Sequence, residues 1–312
     1  MWSAPSPPAV KRRAGTVALE MESCKHTVAF NIQSTAGLYS TLTGVLAGFA
    51  FTALVVLVTF RLQDPGKTVK RFAHAAQALV AAFLSLTLMS LLYAALGGEP
   101  LATQTGTSHQ GASGRSSSAE LVLGLGFVAC GLLLIYALIQ TLQAADSGSD
   151  APTDGVEKSQ ANEKPLTTIA THLRTFTTIV VLPLFGLFVV LGAQDYQQAR
   201  YGDSTLTGWT TILGVSLVAV LFLAGCWLSQ HRPTWPDTED RERVFVTWFS
   251  YALLGGVVVT AITYAVLIAV LGVCDTLPPA IVICVFVIST AGGLASAYVF
   301  AHQPFDGIDG AG

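Results

Sequence analysis

The chain has 312 residues, 52% of them hydrophobic and only 11% charged, with a formal net charge of −3. A soluble domain carries about a quarter charged residues, so the deficit excludes an ordinary water-soluble globule. No basic stripe runs through the sequence, which excludes a nucleic-acid partner.

A helix needs about 20 apolar residues to cross the hydrocarbon core of a bilayer. Seven blocks of that kind follow one another: Gly37–Phe60, Phe72–Gly97, Leu121–Leu142, Thr175–Ala193, Leu206–Leu228, Val244–Val273 and Thr276–Ala301. None contains an Asp, Glu, Lys or Arg. They are continuous runs without the in/out alternation of barrel strands. The expected fold is therefore all-α, a bundle of seven transmembrane helices surrounded by lipid. The richness in Ala, Gly, Val and Leu, with few Lys, suggests a bacterial source of high GC content.

Residues 1–36 read as an extracytoplasmic tail. Met1–Glu22 lacks the apolar core of a signal peptide. The tail carries Lys11, Arg12, Arg13 and Lys25; either translation begins at Met21, or the tail is translocated despite its charge. The first three helices are expected within 37–142 and the last four within 172–302. Cytoplasmic loops carry the excess of Lys and Arg. Arg61, Lys67, Lys70 and Arg71 follow the first block, Lys158, Lys164 and Arg174 the third, and Arg232, Arg241 and Arg243 the fifth, against Arg115 and Arg200 in the opposite loops. This bias puts the N-terminus outside, the C-terminal tail 303–312 in the cytoplasm, and the protein in the plasma membrane.

In the first block Ser40, Gly44, Gly48 and Thr52 recur every four residues. Ala252, Gly256 and Thr260 in the sixth block, and Ser289, Gly293 and Ala297 in the seventh, repeat the pattern. Small side chains let a neighbouring backbone approach closely. The face packs on another helix of the chain, mates with a second copy in a homo-oligomer, or lines a narrow path; a different membrane protein is the other expected partner. The pattern predicts that the first, sixth and seventh helices form the bundle core. Leu46–Val55 (LAGFAFTALV) resembles the pore helix of Orai-type calcium channels. Where that family has its filter glutamate this chain has Val56, and no residue role carries over.

Polar uncharged residues interrupt the later blocks. Gln77, Ser85, Thr87, Ser90 and Tyr93 lie in the second, Tyr136 and Gln140 in the third, Thr260, Thr263 and Tyr264 in the sixth, and Ser289 and Thr290 in the seventh. They serve as interhelical hydrogen-bond glue or line a cavity for a neutral or lipid-like solute; Gln77, Tyr93, Tyr136, Gln140, Thr263 and Tyr264 are the candidate lining. Gly98–Ser118 reads as a flexible outer loop, and 143–171 as a disordered cytoplasmic linker without enough apolar side chains to order itself. Pro183 interrupts the fourth block and should kink it, with Thr177 and Thr178 placed to satisfy the freed carbonyl. Asp195, at the outer end of that block beside Tyr196, reads as an interfacial anchor or as the mouth of a cavity.

Cys130, Cys226 and Cys284 lie within blocks and read as small apolar residues. Cys24 and Cys274 both fall outside, where a disulfide is permitted. His74, His172, His231 and His302 fall at cytoplasmic ends, without metal-ligand spacing on a shared helix. Neither cysteine nor histidine spacing implies a metal or cofactor. No HExxH or P-loop is present, and Gly124, Gly126 and Ala129 match GxGxxA only inside a membrane block. Charge-free blocks also argue against a proton-driven pump or antiporter. The expected function is that of a non-enzymatic scaffold, partner subunit or sensor-like element. The alternative is a channel or transporter for a neutral or lipid-like solute.

Overall fold

The computed structural model describes residues 23–28, 32–63, 69–104, 110–146, 165–202, 209–230 and 239–302. The stretch 1–22 with Met21, most of the expected linker (147–164), His231, Arg232 and the tail 303–312 lie outside the described residues.

Eight α-helices account for most of the described chain: α1 (Ile32–Gln63), α2 (Val69–Gly97), α3 (Gly114–Asp146), α4 (Pro165–Phe176), α5 (Leu182–Tyr201), α6 (Trp209–Gln230), α7 (Glu239–Val270) and α8 (Pro279–His302). A π-helical turn, Thr177–Val181, joins α4 to α5. Joined in this way they form one span, and among the described residues seven helices are long and apolar enough to cross a membrane. The protein is an all-α, multi-pass membrane protein.

Helices α1, α2 and α3 overrun their apolar blocks, because an apolar block measures the hydrocarbon and a helix is free to continue into the headgroups, whereas α6 and α8 begin inside theirs. The expected linker shrinks accordingly: α3 runs on to Asp146 and α4 begins at Pro165. The described part of the expected loop Gly98–Ser118 holds short strands and the start of α3. Strand β2 (Ala102–Gln104) pairs parallel with β1 (Ser23–Cys24) and antiparallel with β3 (Gln110–Gly111), in the order β1-β2-β3. The hydroxyl of Ser113 then accepts the backbone N–H of Ser116 at 3.2 Å, the hydrogen bond of a helix N-cap. Helix α3 thus starts seven residues before its apolar block, at Gly114 rather than Leu121.

The expected core is corrected as well. Helix α3 sits at the centre, with 56% of its apolar window buried, whereas the windows of α1 and α7 are 22% buried. A residue four positions along a helix has turned by about 400°, so a strict four-residue stripe drifts about 40° per step away from a straight neighbour. Ser40 and Ser90 exchange hydrogen bonds, each hydroxyl donating to the other's carbonyl (2.9 and 2.8 Å). A Cβ on Gly44 would lie 3.4 Å from the Ser90 hydroxyl. By Gly48 the stripe has left α2, and a Cβ there, or on Gly256, would meet nothing within 4 Å; Thr52 is exposed. Gly293 does mediate packing: it is buried against Leu221 of α6.

Most spanning hydroxyls bond their own helix rather than a neighbour. Thr87 donates to Phe83 O, Thr260 to Gly256 O, Thr263 to Val259 O, Ser289 to Val285 O and Thr290 to Phe286 O. Back-bonding to the preceding turn needs no partner helix, so it wins wherever no partner is aligned.

At Pro183 the chain inserts a π turn. The N–H of Leu182 donates to Thr177 O, five residues back. In that register a residue at 183 would donate to Thr178 O, and proline has no N–H to give. Thr177 and Thr178 donate a turn further up, to Leu173 O and Arg174 O. The Thr178 carbonyl instead faces Gly225 of α6, where a Cβ would come within 2.4 Å of it. Glycine is required at 225 by this close approach.

Candidate functional site

One end of the bundle carries the sheet, the turn between α7 and α8, and a cavity. The turn is braced from several sides. The sulfurs of Cys24 and Cys274 are bonded, with Cα atoms 5.3 Å apart. The pairing fastens β1 to the start of the turn. From α3, Arg115 donates its backbone N–H to Val273 O (3.2 Å) and Nη1 to Leu271 O (3.3 Å), and forms an ion pair with Glu99 at 2.6 Å. Ser118 accepts the Leu277 N–H (3.1 Å). From α5, the Tyr196 hydroxyl and Arg200 Nη1 both donate to Leu277 O (2.7 and 2.8 Å). The end of α5 stays helical to Tyr201 and stops at Gly202, whose φ of 71° lies in the left-handed region that glycine tolerates.

Beside this braced turn lies a cavity of about 280 Å³, lined by Thr35 and Tyr39 of α1, Glu120, Leu121 and Gly124 of α3, and Phe188, Gly192 and Asp195 of α5, among others. It exists because α1 packs along α2 and touches α3 only slightly, leaving a cleft between α1 and α5 with α3 behind it. Its inner wall is aromatic. Tyr39 lies 5.4 Å from Phe188 and 5.6 Å from Phe127, and Phe127 stacks on Phe188 at 5.5 Å between ring centroids. Tyr93 packs behind Tyr39 at 5.3 Å.

Two carboxyls share this cavity. Glu120 lies about 9 Å along α3 from Gly114, and Asp195 about 9 Å along α5 before Tyr201. Both are therefore inside spanning helices, close to the level where headgroups give way to hydrocarbon. Glu120 Oε2 is buried and has no hydrogen-bond partner. Among the described residues that line the cavity, Glu120 and Asp195 are accompanied by no Lys, Arg or His. Tyr93, 1% exposed, likewise has a hydroxyl without a partner. A buried acceptor without a donor costs about 1–3 kcal/mol, so the arrangement suits a ligand that brings a donor.

The expectation of charge-free spans is overturned by Glu120 and Asp195. Glu120 stands one residue before the block Leu121–Leu142, and Asp195 two residues after Ala193. The helix continues outward through Ser116-Ser117-Ser118-Ala119, a serine run that by itself reads as loop or cap. The six residues expected to line a cavity do not line this one. Tyr136 is buried against Phe249 and Phe300 (5.2 and 6.3 Å). Gln140 is half-buried on α3. Gln77 Nε2 is buried without a partner on α2. Thr263 bonds its own helix, and Tyr264 is buried.

No protein-family model, curated protein or solved structure matches the chain.

Proposed function

We propose that the protein is a non-enzymatic, sensor-like plasma-membrane protein that takes a lipid-like ligand into the cleft between α1 and α5. The observation that carries this reading is the cavity itself. It is headgroup-sized, small for a whole drug-like molecule, and opens between helix faces whose large apolar residues are exposed: Leu38 and Leu42 on α1, Leu187 and Leu191 on α5. Such faces meet hydrocarbon, so a ligand arriving from the bilayer enters sideways with its tail still in lipid. The braced turn fixes the ends of α3 and α5, which carry Glu120 and Asp195. The loop charge bias places this end outside, and the Cys24–Cys274 bond suits an oxidising compartment.

The test is retention of lipid through purification in mild detergent, read by mass spectrometry. A Cβ at Gly124 would meet only Phe188 Cδ1, at 3.9 Å, so a larger side chain there fills the cleft without a backbone clash. Gly124→Leu is expected to reduce co-purifying lipid about tenfold. Equal retention in a folded Gly124→Leu protein removes the reading.

The buried carboxyls favour a second reading, transport, because intramembrane acids mark ion and solute pathways. It requires solute flux in proteoliposomes that Gly124→Leu blocks. Against it stands the packing of Tyr39 and Phe188, which line the cavity, on Phe127 behind them.

A further inference from the structure

We infer that the cleft between α1 and α5 recognises a primary ammonium group, carried by an aminolipid headgroup and held between Glu120, Asp195 and the rings of Tyr39 and Phe188. The inference rests on the cleft being a ligand site and adds the chemistry of the ligand.

Three observations point the same way. The described lining of the cavity holds two carboxyls and no Lys, Arg or His, so the complementary charge is positive. Glu120 Oε2 has no donor, so the cation must bring N–H groups; a primary ammonium has three, whereas a quaternary ammonium has none. The rings of Tyr39 and Phe188 line the same space, and aromatic rings attract cations most strongly where water is excluded.

Depth and shape select a lipid over a water-borne amine. The carboxyls lie at headgroup level, and the cleft is flanked by exposed Leu38, Leu42, Leu187 and Leu191, faces suited to acyl chains. A volume near 280 Å³ accommodates a headgroup while the tails remain outside. A soluble amine such as butylammonium presents the same charge without the tails and is expected to bind far more weakly.

The test uses the full chain in nanodiscs of phosphatidylglycerol doped with phosphatidylethanolamine, phosphatidylcholine or diacylglycerol. Bound lipid is counted by native mass spectrometry, and butylammonium in a lipid-free detergent arm is followed by thermal shift. Wild type is expected to enrich phosphatidylethanolamine over phosphatidylcholine by about tenfold, the worth of one charge-assisted hydrogen bond. Glu120→Gln and Asp195→Asn, near-isosteric and each checked for unchanged helicity and elution, should each erase that preference. Equal enrichment of phosphatidylcholine overturns the inference, as does undiminished preference in both neutral variants. So does a thermal shift by butylammonium at the concentration where the lipid saturates, since the ligand would then be the free amine. If Gly124→Leu expels diacylglycerol while the neutral variants change nothing, the ammonium inference falls and the lipid-cleft reading stands. If Gly124→Leu expels no lipid at all, both fall.

Discussion

Two neighbouring regions at one end of this bundle treat polar groups in opposite ways. In the turn between α7 and α8 the carbonyls of Leu271, Val273 and Leu277 accept from Arg115, Tyr196 and Arg200. In the cleft between α1 and α5, Glu120 Oε2 has no donor, and the Tyr93 hydroxyl enclosed behind Tyr39 has no partner either. Helices α3 and α5 contribute side chains to both regions. A saturated network adds stability, whereas an unsaturated one stores an unmet demand that a ligand can meet. Mutations should therefore have opposite signs in the two regions.

The largest effect is expected at Arg115. Its ion pair with Glu99 is mostly buried, at 16% and 11% side-chain exposure. Removing one partner of such a pair strands the other, at about 3 kcal/mol. Arg115→Met should lower the unfolding midpoint of the detergent-solubilised protein accordingly. A shift no larger than that of an exposed charge would show that the braced turn contributes little, and the contrast between the regions would disappear.

The disulfide ranks next. It closes a 250-residue separation between β1 and the turn, although helices held in the membrane leave less freedom to lose than a chain in water. Replacing Cys24 and Cys274 by Ser is expected to cost about 2 kcal/mol, at the low end for native disulfides. A reductant should lower the midpoint of wild type and leave the double variant unmoved. If reductant moves both equally, the bond is not what braces the turn.

At Glu120 the sign should reverse. Glu120→Met exchanges an acceptor without a donor for an apolar side chain and is expected to raise stability by about 1 kcal/mol in lipid-free detergent. Functional sites commonly carry such a deficit. Destabilisation by Glu120→Met would mean that the carboxyl has a structural partner, and the two regions would then be alike.

These outcomes bear on what was legible in the chain. The spans were readable because lipid imposes a single requirement, apolar length, on every helix. The Cys24–Cys274 proximity was readable because loop charge sorted both residues to one side. The cleft was not. It depends on where α3 and α5 end relative to the hydrocarbon, and Glu120 and Asp195 sit just beyond blocks defined by the absence of charge. The capping Ser113 that carries α3 past its block leaves only a weak trace in a Ser- and Gly-rich stretch. The small-residue stripe of α1 misled for a geometric reason, since a four-residue repeat rotates away from its neighbour before it reaches Gly48.

The smallest expected effect tests how the braced region achieves its stability. Leu277 O accepts from both Tyr196 and Arg200 Nη1, and Arg200 Nη1 also reaches Thr276 Oγ1 at 3.1 Å. Tyr196→Phe leaves that carbonyl with a donor, so it should cost less than about 1 kcal/mol, below the usual worth of a buried hydrogen bond. Arg200→Met alone leaves the tyrosine in place and should be similarly mild. Together they strip the carbonyl of every side-chain donor, and the double variant should lose more than the sum of the singles by about 1 kcal/mol, the coupling expected of residues sharing a partner. Additive losses would mean that the two donors act independently. The turn would then be a collection of separate contacts, and its difference from the cleft would be one of number alone.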